Sequence, residues 1–234
     1  SFGGGGLCNG RAPLPVSSIL STMAAFQPSK AQRWNIFNGF ADSTSSTEAR
    51  TELRGWCGLA LVGLAIAGVF ALLVALSRIP NLEAVVPLPV AFFNKGLVIH
   101  VIFSFVVWFL CVFGALATVS AYRVSGGKTV GRPLGLAAIG LGYMSSVLLF
   151  VPGFMDRGRP SLNNYIPVIL DPLYYAGLVG LAVSVVLLVV RLVLALSGRT
   201  GPLEPVGLGT FNGAFLFVAA LACVGIAGSL LESA

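Results

Sequence analysis

Charge is the scarcest thing in this chain of 234 residues. Only 9% of them are Asp, Glu, Lys or Arg, against roughly 25% in a soluble globular domain, so water is not the main solvent of this protein. Histidine is nearly missing as well: His100 stands alone, and the chain has no second imidazole to offer a metal. The four cysteines, Cys8, Cys57, Cys111 and Cys223, follow no paired spacing, which argues against a disulfide framework or a CxxC metal site. Three of them lie in apolar stretches, where a thiol behaves as a small hydrophobe. No phosphate loop, GxSxG or HExxH is present, and no apolar run carries a pair of carboxylates; Glu204 and Glu232 sit at the ends of runs. A proton pump or channel built on intramembrane carboxylates is therefore poorly supported. No internal repeat of 20 to 50 residues is visible, which argues against an inverted-repeat transporter.

Acids are absent from the first 41 residues, which hold Arg11, Lys30, Arg33 and several serines. That composition is that of an organellar transit peptide, and equally that of a basic tail on the inner membrane face. The start at Ser1, without methionine, suggests a processed or shortened product. The glycine-rich stretch from Phe2 to Gly10 is expected to be flexible.

What the chain has in abundance is apolar side chains, 56% of the total, with a mean hydropathy of +0.93. Five runs are long enough to cross a hydrocarbon core of about 30 Å as helices: Gly55 to Leu76, Gly96 to Tyr122, Pro133 to Met155, Leu173 to Leu196 and Val206 to Leu231. None shows the alternation of a barrel strand. An all-α membrane bundle of about five helices over residues 54–234 is expected, preceded by a basic arm over 1–53. Arg191, near the end of the fourth run, is expected to snorkel to the interface. Small residues at four-residue spacing, such as Ala138 and Gly142, suit close helix packing.

Basic residues fall unevenly between the two sides of these spans. Arg11, Lys30, Arg33, Arg50, Arg54, Arg123, Lys128, Arg132, Arg191 and Arg199 lie on one side, and Arg78, Lys95, Arg157 and Arg159 on the other. Ten against four predicts an amino terminus in the cytoplasm or mitochondrial matrix. The net charge of +6 comes from cations scattered singly between apolar runs, not from a patch interleaved with aromatics, so nucleic acid is not expected as a partner.

His100 is the first candidate for chemistry. An imidazole five residues inside the second run needs a partner, either a structural hydrogen bond or the iron of a haem. Met155, at the end of the third run, is the only internal candidate for a second axial ligand, and a partner chain is the stronger one. The connection from Phe154 to Pro172 collects Asp156, Arg157, Arg159, Asn163, Asn164 and Asp171. Its arginines would suit haem propionates or a docking partner; the same residues would also serve as turns and caps, with Asp171 and Pro172 reading as an N-cap and first-turn proline.

Several of these segments resemble a known family. Arg54-Gly-Trp56, Phe70 to Arg78, Phe92 to His100, Val107-Trp-Phe-Leu110 and Asn163 to Val168 together resemble the amino-terminal part of haem–copper (cytochrome c) oxidase subunit I, of the divergent, cbb3-like alphaproteobacterial kind, over roughly residues 50 to 230. The resemblance implies that His100 matches the second-helix axial ligand of the low-spin haem. It also implies that copper and high-spin haem ligands, which that family draws from later helices, have no equivalent here, so no copper site is expected. The chain would be one piece of a split subunit I, or an accessory subunit of a respiratory assembly, with partner subunits and lipid around it and a partner chain completing the haem. The alternative is a structural subunit without cofactor. The mitochondrial inner membrane is the expected location, a bacterial inner membrane the alternative.

Overall fold

The computed structural model describes residues 46–80, 92–162, 167–198 and 218–228. Four helices among them are long and apolar enough to span a membrane. The first, α1, covers Thr47–Leu76; α2 covers Phe92–Val124, α3 Arg132–Phe154 and α4 Pro172–Ser197. Residues 159–161 and 168–170 form a short antiparallel hairpin, β1 and β2, and a further apolar helix, α5, runs over Val218–Gly228. The rest of the expected fifth span, and the arm up to residue 45, lie outside the described residues.

Local chemistry explains where the helices begin and end. The Ser46 side chain accepts a hydrogen bond from Ala49 N at 3.2 Å, and Glu48 stands in the first turn of α1, where a negative charge suits the helix dipole. This cap starts α1 at Thr47, ahead of the expected Gly55, and brings Glu52 into the bundle. Between α2 and α3 the chain reverses through Gly126, Gly127 and Gly131, all at positive φ, a conformation that costs glycine little. Asp171 and Pro172 begin α4 as expected: Asp171 Oδ1 accepts from Leu173 N at 2.9 Å, and the proline occupies the first turn.

Packing closes the four long helices into a ring. Neighbouring pairs are α1 with α2, α2 with α4, α4 with α3, and α3 with α1. Alternating direction along the chain makes α1 and α3 parallel neighbours; the end at which both begin is called the entry end, and the opposite end carries the hairpin. Small residues set the close approaches. A methyl added to Gly114 of α2 would lie 2.6 Å from the Trp56 ring of α1, and one added to Gly177 of α4 would lie 2.8 Å from Leu149 of α3. Outward positions are apolar: Leu61 and Leu72 are about two-thirds exposed, and Phe105, Phe109, Met144 and Val147 more than half. Such a surface would be an association hazard in water, whereas in a bilayer it meets its own solvent. The chain is an all-α membrane bundle.

Candidate functional site

His100 lies in α2, one residue before its first α-helical stretch ends at Val101. Eight residues separate it from Phe92, placing it roughly 12 Å along the axis from the hairpin end at 1.5 Å per residue. It is half-buried, and its Nδ1 lies 2.8 Å from the main-chain oxygen of Ala67 on α1. A carbonyl oxygen only accepts, so the bond requires the proton on Nδ1 and leaves the Nε2 lone pair uncommitted. The other ring nitrogen of a metal-bound histidine is held in just this way, by a carbonyl or carboxylate that fixes tautomer and ring orientation.

The helix widens immediately after this residue. Ile102–Val107 forms a π turn, an arrangement frequent at functional sites because it accommodates one extra residue per turn. Ser104 Oγ donates to the His100 oxygen at 2.7 Å and lies 3.3 Å from that of Val101, supporting carbonyls where the hydrogen-bond pattern changes. Gly63 of α1 faces this turn: an added methyl would be 3.4 Å from Val107. Beyond it, Phe105 stacks on Phe109 at 6.4 Å between centroids, and Trp108 meets Phe109 edge-on at 4.9 Å. Phe105 and Phe109 face outward, so His100 is followed along α2 by an aromatic strip on the bundle's periphery.

The hairpin-end connection is built from capped backbone. Lys95, only 3% exposed, extends its ammonium from α2 to the oxygens of Met155 and Arg157, the latter at 2.8 Å. A cation there satisfies carbonyls at the end of α3 and suits its dipole. Arg157 Nε reaches Asp171 Oδ2 at 2.9 Å, its side chain 62% exposed and the aspartate's 2%. Arg159 is exposed at the start of β1. The expected arginines therefore stand at one end of the bundle: Arg157 is tied to the cap of α4, and Arg159 projects from the hairpin. His100 finds its bond on α1, while Met155 contributes its main-chain oxygen to Lys95. Asn163 and Asn164 lie outside the described residues.

The largest departure from the sequence-based expectation is Arg191. It does not snorkel: its residue is 1% exposed, and its guanidinium grips Glu52 of α1, Nη1 on Oε2 and Nη2 on Oε1 at 3.2 Å. Tyr122 of α2 donates to the same Oε1 at 2.9 Å, with its ring 5.2 Å from the guanidinium carbon. Gly135 of α3 provides the room, since an added methyl would run into both charged groups. The pair thus crosses the diagonal of the ring, with one residue from each long helix. Sequence reasoning missed it because Glu52 precedes the apolar run; the available signal was two opposite charges at the same end of two spans.

A small cavity bounded by Trp56, Leu59, Val107, Cys111, Leu181 and Ser184 leaves about 10 Å³ for the centre of a water-sized sphere, near the minimum for one water. Trp56 Nε1 is buried without a hydrogen-bond partner among the described residues. No group of three or more His, Cys, Asp or Glu side chains among those residues would hold a metal ion.

No protein-family model, curated protein or solved structure matches the chain. The membrane bundle and its side-chain geometry carry the functional reading by themselves.

Proposed function

We propose that this chain is a membrane subunit of a respiratory terminal oxidase or a related respiratory complex, with His100 as an axial ligand of a low-spin haem shared with a neighbouring chain. One observation carries the reading: the Nδ1 bond to Ala67 O, 2.8 Å long, orients a half-buried imidazole with Nε2 available to iron. A low-spin haem held there supplies a one-electron relay. The chain's own part is to bind and orient, through Ala67 and the π turn, and to offer the flat side chains of the aromatic strip to an apolar macrocycle. Arg159, exposed and without an ion pair among the described residues, and Arg157 beside it would receive propionates. The second axial ligand comes from a partner subunit. The mitochondrial inner membrane, with the entry end toward the matrix, is the setting that the basic arm and the charge bias favour.

The small cavity at Trp56 favours a second reading, a structural subunit without cofactor, because about 10 Å³ is far below the roughly 300 Å³ of a small-molecule site. A reduced-minus-oxidised optical spectrum of the intact complex distinguishes the two. With His100→Ala at matched assembly, loss of a low-spin a-type or b-type band is expected; an unchanged spectrum rejects ligation and leaves the structural subunit.

A further inference from the structure

At the entry end, the seam between the parallel helices α1 and α3 joins two arginines without an ion pair among the described residues to an exposed apolar face. Gly55 packs under Ile139, and Gly58 under the Tyr143 hydroxyl, which donates to Gly55 O at 3.2 Å. These contacts define the seam. Toward the entry end, Arg54 lies one turn before Gly58, and Arg132 one turn before Leu136 and two before Ile139. Arg54 is exposed. Arg132 is half-buried, with Nε sealed from solvent and lacking a hydrogen-bond partner among the described residues.

Among the described residues, acid at this end is short. Glu52 is consumed by Arg191, and Glu48, half-buried, makes no salt bridge with either arginine among the described residues. At the hairpin end Arg78 lies over the Phe93 ring at 4.9 Å, Lys95 is held by carbonyls and Arg157 pairs with Asp171, which leaves Arg159 as the exposed cation there. Further from the entry end along the seam, Leu136, Met144 and Tyr143 are exposed, and a methyl added at Gly140 would meet nothing within 4 Å. The surface at Gly140 is thus apolar and open beside larger side chains.

We propose that the α1–α3 seam binds an anionic phospholipid, its phosphate between Arg54 and Arg132 and one acyl chain along Gly140 beside Tyr143. Guanidinium groups match phosphate in charge and planar donor geometry, and basic sites between spans on the cytoplasmic or matrix side suit anionic headgroups. Two cations without an ion pair among the described residues select a lipid with net negative charge over a zwitterionic one.

The test uses the full chain in nanodiscs of phosphatidylcholine with or without phosphatidylglycerol, followed by native mass spectrometry of retained lipid and by thermal unfolding. Phosphatidylglycerol retained in preference to phosphatidylcholine, with a raised Tm, is expected. In the Arg54→Gln/Arg132→Gln variant that preference falls on the order of thirtyfold, from about tenfold-or-less per basic side chain at the surface. The Arg54→Lys/Arg132→Lys variant keeps most of it, and Arg78→Gln, at the other end, leaves it unchanged. Equal retention by the native and double-glutamine chains, equal retention of the two lipids, or the same stabilisation by inorganic phosphate alone each overturns the proposal.

Discussion

Replacing Glu52 by leucine would leave the Arg191 guanidinium in the bundle with no counter-charge. Both side chains are almost wholly buried, at 0% and 2% exposed, so solvent cannot take over from the lost partner. Breaking a buried pair by removing one member costs about 3–5 kcal/mol, and Tyr122 loses its acceptor in addition. At about 2–4 °C per kcal/mol for a chain of this size, Glu52→Leu should lower Tm on the order of 10 °C. Glu52→Leu/Arg191→Leu removes both charges, and replacing a whole buried pair by apolar residues is often neutral, so most of the loss should return. Thermal unfolding is followed by maleimide labelling of Cys111, which is 2% exposed, in a background with the other cysteines replaced by serine. A double variant no more stable than Glu52→Leu, giving a coupling near zero in the cycle, would refute the argument that the uncompensated charge is the cause.

Two further outcomes follow from packing. Gly114→Ala places a methyl 2.6 Å from the Trp56 ring and should cost about 1–3 kcal/mol by overpacking, whereas Gly140→Ala, in open space, should be neutral or slightly stabilising; an equal loss of Tm in both would show that the contact with Trp56 is not the cause. Lys95→Met keeps the apolar stem but strips the donors from the Met155 and Arg157 oxygens. It should cost about 1.5–3 kcal/mol and speed amide exchange in the β1 hairpin, while exchange rates there equal to those of the native chain would show that the ammonium does not hold that connection.

Four of the expected spans were legible because an apolar run of about 20 residues has few alternatives to a membrane helix. Their ends were read to within a few residues wherever a cap marked them, as at Asp171 and Pro172. The start of α1 was placed late because Thr47 to Arg54 is polar in composition, and only the Ser46 cap and the pairing of Glu52 make it helical. For the same reason Arg191 was read as a snorkelling side chain: hydropathy scores one helix at a time, and its partner is on another, 139 residues away. The π turn was not legible either, since the residues Ile102–Val107 carry no signal that separates π from α. His100 stood out by being alone, but its tautomer depends on a main-chain oxygen of α1, which periodicity does not locate.

The 139 residues between Glu52 and Arg191 are also a delay. At about 5–20 residues per second of synthesis, α1 leaves the ribosome on the order of ten seconds before the guanidinium that it needs exists. During that interval the carboxylate must stay at the aqueous boundary or be guarded by an insertion factor. The first helix can settle to its final depth only when the fourth arrives, so the order of translation makes the last long helix the one that completes the insertion of the first.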